Sequence, residues 1–257
     1  MKPTITTLAL CLMITFSTFA QQVRFTKQGE IEYEKKINMF ALIKANMNKE
    51  NEAYLQKFFD QYKASQPQFK TQKSVLTFSN NLTAFSPVAE ETPTQNAFSY
   101  LPGFNQINVT YTDLEKKTST IQKTVFEESF LVKDSTRKIV WKITDETREI
   151  AGYPCRRANA LVMDSIYIVA FYTDRIPVSG GPESFSGLPG MILGLAMPHD
   201  HISWFATKVS DMPVAAAKLQ PPGKGKAVDH KGLIATLEKA FKQWGPQAKS
   251  YLRFFLL

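Results

Sequence analysis

Cysteine is nearly absent from this 257-residue chain, which carries only Cys11 and Cys155, and histidine is scarce at three. Cys11 lies inside an N-terminal apolar run. If that run is removed on export, Cys155 stands alone and no intramolecular disulfide can form, so stability must come from a buried core. No stretch reaches the roughly 20 apolar residues of a membrane-spanning helix, which argues against a transmembrane segment in the mature chain. Missing too are a Gly-x-Ser-x-Gly elbow, a His-Glu-x-x-His helix, a phosphate-binding glycine loop and a dinucleotide fingerprint, so the common hydrolase and nucleotide-binding classes have no motif here. The formal charge is +8, yet Lys and Arg alternate with acidic neighbours as on a solvated surface. Neither a nucleic-acid partner nor a cofactor is expected.

What is present begins with an address. Lys2, an apolar run over residues 5–19, and Thr18 and Ala20 at the −3 and −1 positions read as a cleavable signal over residues 1–20, with Gln21 as the first mature residue. Leu10 before Cys11 is not the small residue that precedes a lipidated cysteine. Removing Lys2 lowers the charge from +8 to +7. Residues 21–257 are enough for a single domain, and the expected location is the periplasm or the medium outside a Gram-negative cell.

Periodicity then gives the architecture. Residues 30–40 place Ile31, Tyr33, Ile37 and Met39 at odd spacing, an opening strand with one buried face. Residues 51–63 put Tyr54, Leu55, Phe58, Phe59 and Tyr62 on one helical stripe. Two short β runs flank Asn80-Asn81, a pair suited to the positive φ of a tight hairpin. Residues 87–103 read as a long surface loop, and strands follow at 118–126, 130–133, 139–143, 157–163 and 166–173. Ile139, Trp141 and Ile143 alternate with Val140 and Lys142. Met191, Leu193, Leu195 and Met197 line one face of a later strand, answered by residues 202–209. Residues 211–229 form a mobile basic excursion around Lys218, Lys224 and Lys226. A helix over residues 232–244 repeats Ile234, Leu237, Phe241 and Trp244 and stops at Gly245-Pro246. The apolar tail 251–257 must dock on the sheet or on a partner. The sum is a mainly β fold with minor α (α+β): a curved antiparallel meander, or half-barrel, with a helix after the first strand and another near the C-terminus.

The most distinctive run is Gly187-Leu188-Pro189-Gly190 followed by Met191-Ile192-Leu193, preceded by Phe171-Tyr172-Thr173-Asp174 and by a loop holding Ile176, Pro177, Gly181 and Pro182. Together with Gly152-Tyr153-Pro154-Cys155 and the Glu32-Tyr33-Glu34 opening, it resembles the GLPGLI family of exported Bacteroidetes proteins. Met191 stands where the eponymous hexapeptide has its second Leu. The resemblance implies an exported address and an architecture, and no biochemical activity. Physically, Gly187 and Gly190 around Pro189 let the backbone turn sharply. That loop either turns a structural corner or grips a ligand or partner. On the second reading its binding residues are Tyr172, Pro177, Gly181, Pro182, Gly187, Leu188, Pro189 and Gly190.

Other chemistry is thinner. His199, Asp200 and His201 offer two imidazoles and a carboxylate to zinc or copper, but the same three residues also make an ordinary polar turn. Cys155 has no local base and reads as a small buried hydrophobe. Glu127-Glu128, Asp145-Glu146 and Arg156-Arg157 read as surface charge. The turns Asp134-Ser135-Thr136 and Asp164-Ser165-Ile166 look like the O-glycosylation triplets of exported Bacteroidetes proteins. The expected function is a non-enzymatic exported module that binds or carries an apolar ligand or serves an outer-membrane partner, similar in outline to half-barrel lipoprotein carriers. The alternatives are a metal-dependent hydrolase built on His199, Asp200 and His201, and a receptor partner engaged through the basic excursion.

Overall fold

The computed structural model describes residues 25–90, 98–99, 101, 103–104, 106–163, 165–245 and 247–257. The expected signal, Asp164 of the second triplet that resembles a glycosylation sequence, part of the expected 87–103 loop and Pro246 lie outside the described residues.

The first strand, β1 (Gln28–Asn38), alternates buried and exposed residues along its length. Asn38 ends it and caps α1 (Met39–Ala45), accepting from the Ala41 amide. Next come α2 (Glu52–Ser65), β2 (Phe69–Ser79) and β3 (Leu82–Pro87). Asn80 and Asn81 both take positive φ, 46° and 64°, as a two-residue hairpin turn requires. Strands β4 (Asn108–Asp113), β5 (Thr118–Val125) and β6 (Glu128–Ser135) continue the meander. Four more follow: β7 (Lys142–Ile150), β8 (Tyr153–Val162), β9 (Ile166–Thr173) and β10 (Met191–Met197). The chain ends with β11 (Ile202–Ser210), β12 (Lys226–Val228), α3 (His230–Ala240) and α4 (Gln247–Leu256).

All twelve strands form one sheet in the order β12-β6-β5-β4-β3-β2-β1-β11-β10-β9-β8-β7, mixed because β12 joins β6 in parallel. The fold is thus mainly β and curled, as expected, but it is two meanders joined where β1 meets β11. Strands β6 and β7 are consecutive in sequence yet ten places apart in the sheet. Laid flat, ten interstrand steps span about 48 Å. The seven residue steps from Ser135 to Lys142 reach at most about 25 Å. The sheet therefore curls until its two ends approach, and residues 136–141 strap across the gap. Ile139 and Trp141, expected in a strand, lie in this strap instead, and the strand starts at Lys142. Strand β7 pairs only with β8 and is exposed along most of both faces, so no period-two signal marks it.

The main core fills the concave face with side chains such as Ile31, Leu76, Phe78, Ile168 and Leu195. A second cluster lies where α3 and α4 meet β5 and β6, with Phe130, Val132, Leu233, Leu237, Phe241 and Phe255 buried together. The apolar tail docks there as a helix. The 211–229 excursion is held by a Lys218–Glu30 ion pair at 2.6 Å, by buried Leu219 and by the β12 pairing, in place of the mobility expected of it.

Candidate functional site

Three inward positions carry charge. In β1 the buried series Ile31, Tyr33, Lys35, Ile37 includes a lysine that is only 6% exposed. Its neighbours across the sheet are Gln72 on β2 and Trp204 on β11. The Lys35 ammonium sits 5.2 Å from the Trp204 ring centre and donates one long hydrogen bond, 3.4 Å, to the Gly103 carbonyl. In β5, Lys123 is 3% exposed and pairs across to Asn108 of β4. The third charge is Glu183, which descends from the loop between β9 and β10 and accepts a 3.0 Å hydrogen bond from the Asn108 amide nitrogen.

Burial governs all three. It lowers the Lys35 pKa, partly offset by the Glu183 charge, and brings the Lys123 pKa down to about 8. The same desolvation raises the Glu183 pKa against the pull of both lysines. Glu183 also sits at φ 55°, a left-handed conformation costing a non-glycine residue about 1 kcal/mol or more.

Beside these charges lies a cavity of about 520 Å³, within the ~300–1,000 Å³ range of small-molecule sites. Phe85, Val88, Ile107 and Trp204 supply apolar wall, while Lys35, Ser74 and Glu183 supply polar lining. A smaller space of about 20 Å³ adjoins it, sharing Lys35, Gln106, Glu183 and Trp204 and reaching Asn108 and Leu257. Ser74 Oγ, Asn108 Oδ1, Thr110 Oγ1 and Arg137 Nε are buried with no hydrogen-bond partner among the described residues. Each such orphan costs about 1–3 kcal/mol unless something fills it.

The tetrapeptide loop behaves differently. Ser179 Oγ donates to the Leu188 carbonyl at 2.6 Å and accepts from the Gly187 amide at 3.2 Å. The Met191 and Ile192 amides donate to the Ile176 and Gly180 carbonyls, and Tyr33 donates to the Ile192 carbonyl at 2.6 Å. A Cβ on Gly190 would lie 2.1 Å from the Thr173 carbonyl oxygen, and one on Gly181 2.8 Å from Ile192. Trp141 of the strap donates to the Ser186 carbonyl at 3.0 Å. The run therefore braces the strap against the sheet. Tyr172, Gly181, Pro182, Leu188 and Gly190 are buried, and Pro177, Gly187 and Pro189 face outward. None of these eight residues lines the large cavity; Glu183, from the same loop, does.

The remaining expectations resolve locally. Asp200 is buried in a 3-10 turn and pairs with Arg253 of α4, so the His199-Asp200-His201 turn anchors that helix. No cluster of three His, Cys, Asp or Glu among the described residues is placed to hold a metal. Cys155 is fully buried and burial pushes its thiol up to about 12. Asp145 and Glu146 lie within β7, where Glu146 pairs with Arg157 at 2.5 Å. Asp134 accepts from the His230 amide and ties α3 to β6. Lys226, at the far end of the basic excursion, faces Glu128 at 3.8 Å. No helix among the described residues is long and apolar enough to cross a membrane.

A family model described as "Protein of unknown function (Porph_ging)", a Bacteroidetes-associated family, matches residues 161–194, the segment from the end of β8 through the tetrapeptide to β10. No curated protein matches the chain. Among solved structures, PNGF-II matches in two crystal forms, at TM-scores of 0.50 and 0.48 with 14% and 17% identity. Each match covers 79% of this chain and 31% of that one, so the chain spans about a third of the length of PNGF-II. An uncharacterized conserved protein from Thermus thermophilus matches at 0.38 and 6% identity, covering 79% of this chain and 91% of that one. These likenesses concern the fold alone.

Proposed function

We propose that the protein is an exported GLPGLI-type module that holds an apolar small molecule inside its curled sheet and binds or carries it without transforming it. The observation that carries this reading is the cavity of about 520 Å³ walled by Phe85, Val88, Ile107 and Trp204. Apolar wall left uncovered by the protein's own side chains forgoes roughly 25 cal/mol per Å² of burial, which a guest restores. The strained Glu183 backbone and the buried charges beside the cavity point the same way, because a fold selected for stability alone fills such a space. The tetrapeptide loop serves this function by bracing the strap that keeps the sheet curled. Export is supported by the Lys2, Thr18 and Ala20 signal pattern. The test is thermal unfolding of the full-length mature protein with 1-palmitoylglycerol, an uncharged amphiphile. Binding predicts a Tm that rises with the logarithm of ligand concentration, with about 2.7 kcal/mol gained at a hundredfold excess over Kd. No shift at any concentration, with no lipid in an organic extract of the purified protein, would contradict the proposal.

A further inference from the structure

We infer that the cavity takes an amphiphile with a singly charged anionic head, a long-chain carboxylate, whose head sits between Lys35 and Ser74 and whose tail lies along Phe85, Ile107 and Trp204. The inference rests on the reading of the cavity as a binding site and adds the chemistry of the guest.

Two independent features place the head. Lys35 is a buried cation lining the cavity, and its one hydrogen bond among the described residues is the 3.4 Å contact to Gly103. An ammonium has three donors, so most of its capacity faces the space beside it. Ser74 lines the same cavity, is 4% exposed, and its Oγ has no partner among the described residues. An anion resting there accepts from the ammonium and from the hydroxyl, replacing two unmet donors with two charge-assisted hydrogen bonds. Trp204, which also lines the cavity, steadies the Lys35 ammonium through its ring face.

The lining sets the valence. Lys35 is the one buried cation among the described residues that line the cavity, so a head has one buried positive charge to meet. A monoanion matches it, whereas a phosphate dianion would bring a second negative charge to a site where Glu183 already supplies one. Near the mouth, Glu90 faces Lys70 at 3.6 Å and adds no net charge of its own. The apolar wall excludes small hydrophilic acids, which would leave Phe85 and Ile107 uncovered.

The experiment is competition between palmitate and hexadecanol for N-phenyl-1-naphthylamine, an uncharged fluorescent probe, bound by the full-length mature chain at pH 7.4. The expected result is that palmitate displaces the probe at about tenfold lower concentration than hexadecanol. In Lys35→Met the two competitors become equivalent while probe binding persists, and in Ser74→Ala the preference falls about fivefold. Equal displacement by both in the wild type overturns the head-group assignment and leaves the apolar cavity standing. Failure of probe, palmitate and hexadecanol alike overturns the binding reading itself. An undiminished palmitate preference in Lys35→Met also overturns the assignment. If that variant does not fold, Ser74→Ala decides, since deleting an unpartnered hydroxyl leaves stability unchanged or raised; a full preference there overturns it as well.

Discussion

The tetrapeptide loop and the polar interior meet in one segment, since Glu183 of the interior lies four residues before Gly187, yet the two regions treat their polar groups in opposite ways. In the loop, Ser179 Oγ both donates and accepts, Tyr33 reaches the Ile192 carbonyl, and Trp141 reaches Ser186. In the interior, Ser74 Oγ, Thr110 Oγ1 and Asn108 Oδ1 are left open among the described residues while Lys35 and Lys123 are buried beside them. A saturated network fixes a shape, and an unsaturated one beside a cavity awaits a guest. The distinctive sequence lies in the first region and the unpartnered polar groups in the second.

The sharpest way to break this comparison is Gly190→Ala. The new methyl would lie 2.1 Å from the Thr173 carbonyl oxygen at φ 150°, so a loss of at least about 3 kcal/mol is expected in urea unfolding. Gly223→Ala, with open space around it, should stay within about 0.5 kcal/mol. Equal effects would mean that the loop is not a brace.

The interior makes a prediction in pH. The folded-state pKa of Lys123, about 8, lies below its ordinary 10.5, so the unfolded chain binds more protons between those values and stability rises with pH there. From pH 8 to pH 10 the gain is about 2 kcal/mol. Below pH 8 both states are protonated and this contribution is flat. In Lys123→Met the rise should shrink by about that amount, leaving the part that the lowered Lys35 pKa supplies, and an undiminished rise would assign it elsewhere.

Smaller effects separate the histidine turn from both regions. Asp200→Asn should cost about 1–2 kcal/mol by releasing Arg253. His199→Ala, at an exposed position, should change stability by less than about 0.5 kcal/mol, and a larger loss would give the imidazole a role that its surroundings do not. Smallest of all, Pro189→Ala should cost about 0.5 kcal/mol through the unfolded chain.

Much of the fold was legible wherever burial is one-sided. The alternation in β1 and the Phe59 and Tyr62 part of the α2 stripe declare themselves because each has one face in the core, though Tyr54, expected on that stripe, is exposed. The exposed Asn80-Asn81 turn declares itself through residues that tolerate positive φ. Strand β7 does not, because an edge strand exposed on both sides leaves no period to read. The sheet order was hidden for another reason: the short 136–141 link looks like a hairpin, and only the curl of the sheet lets it bridge two edges instead. The site leaves only a faint mark in the sequence. A lysine at the inward position between Tyr33 and Ile37, and another between Ile121 and Val125, break apolar series that the surrounding strands keep. Glu183 has no such mark, since a loop carries no period.

The most direct measurement of the central claim is titration of N-phenyl-1-naphthylamine into wild type, Ala89→Trp and Pro189→Ala. Ala89 lines the cavity, and the indole would occupy it, whereas Pro189 lies on the exposed turn of the tetrapeptide. The account predicts one saturable site in wild type and Pro189→Ala, weakened at least about tenfold in Ala89→Trp. Binding kept in Ala89→Trp and lost in Pro189→Ala would contradict it and move the site to the loop.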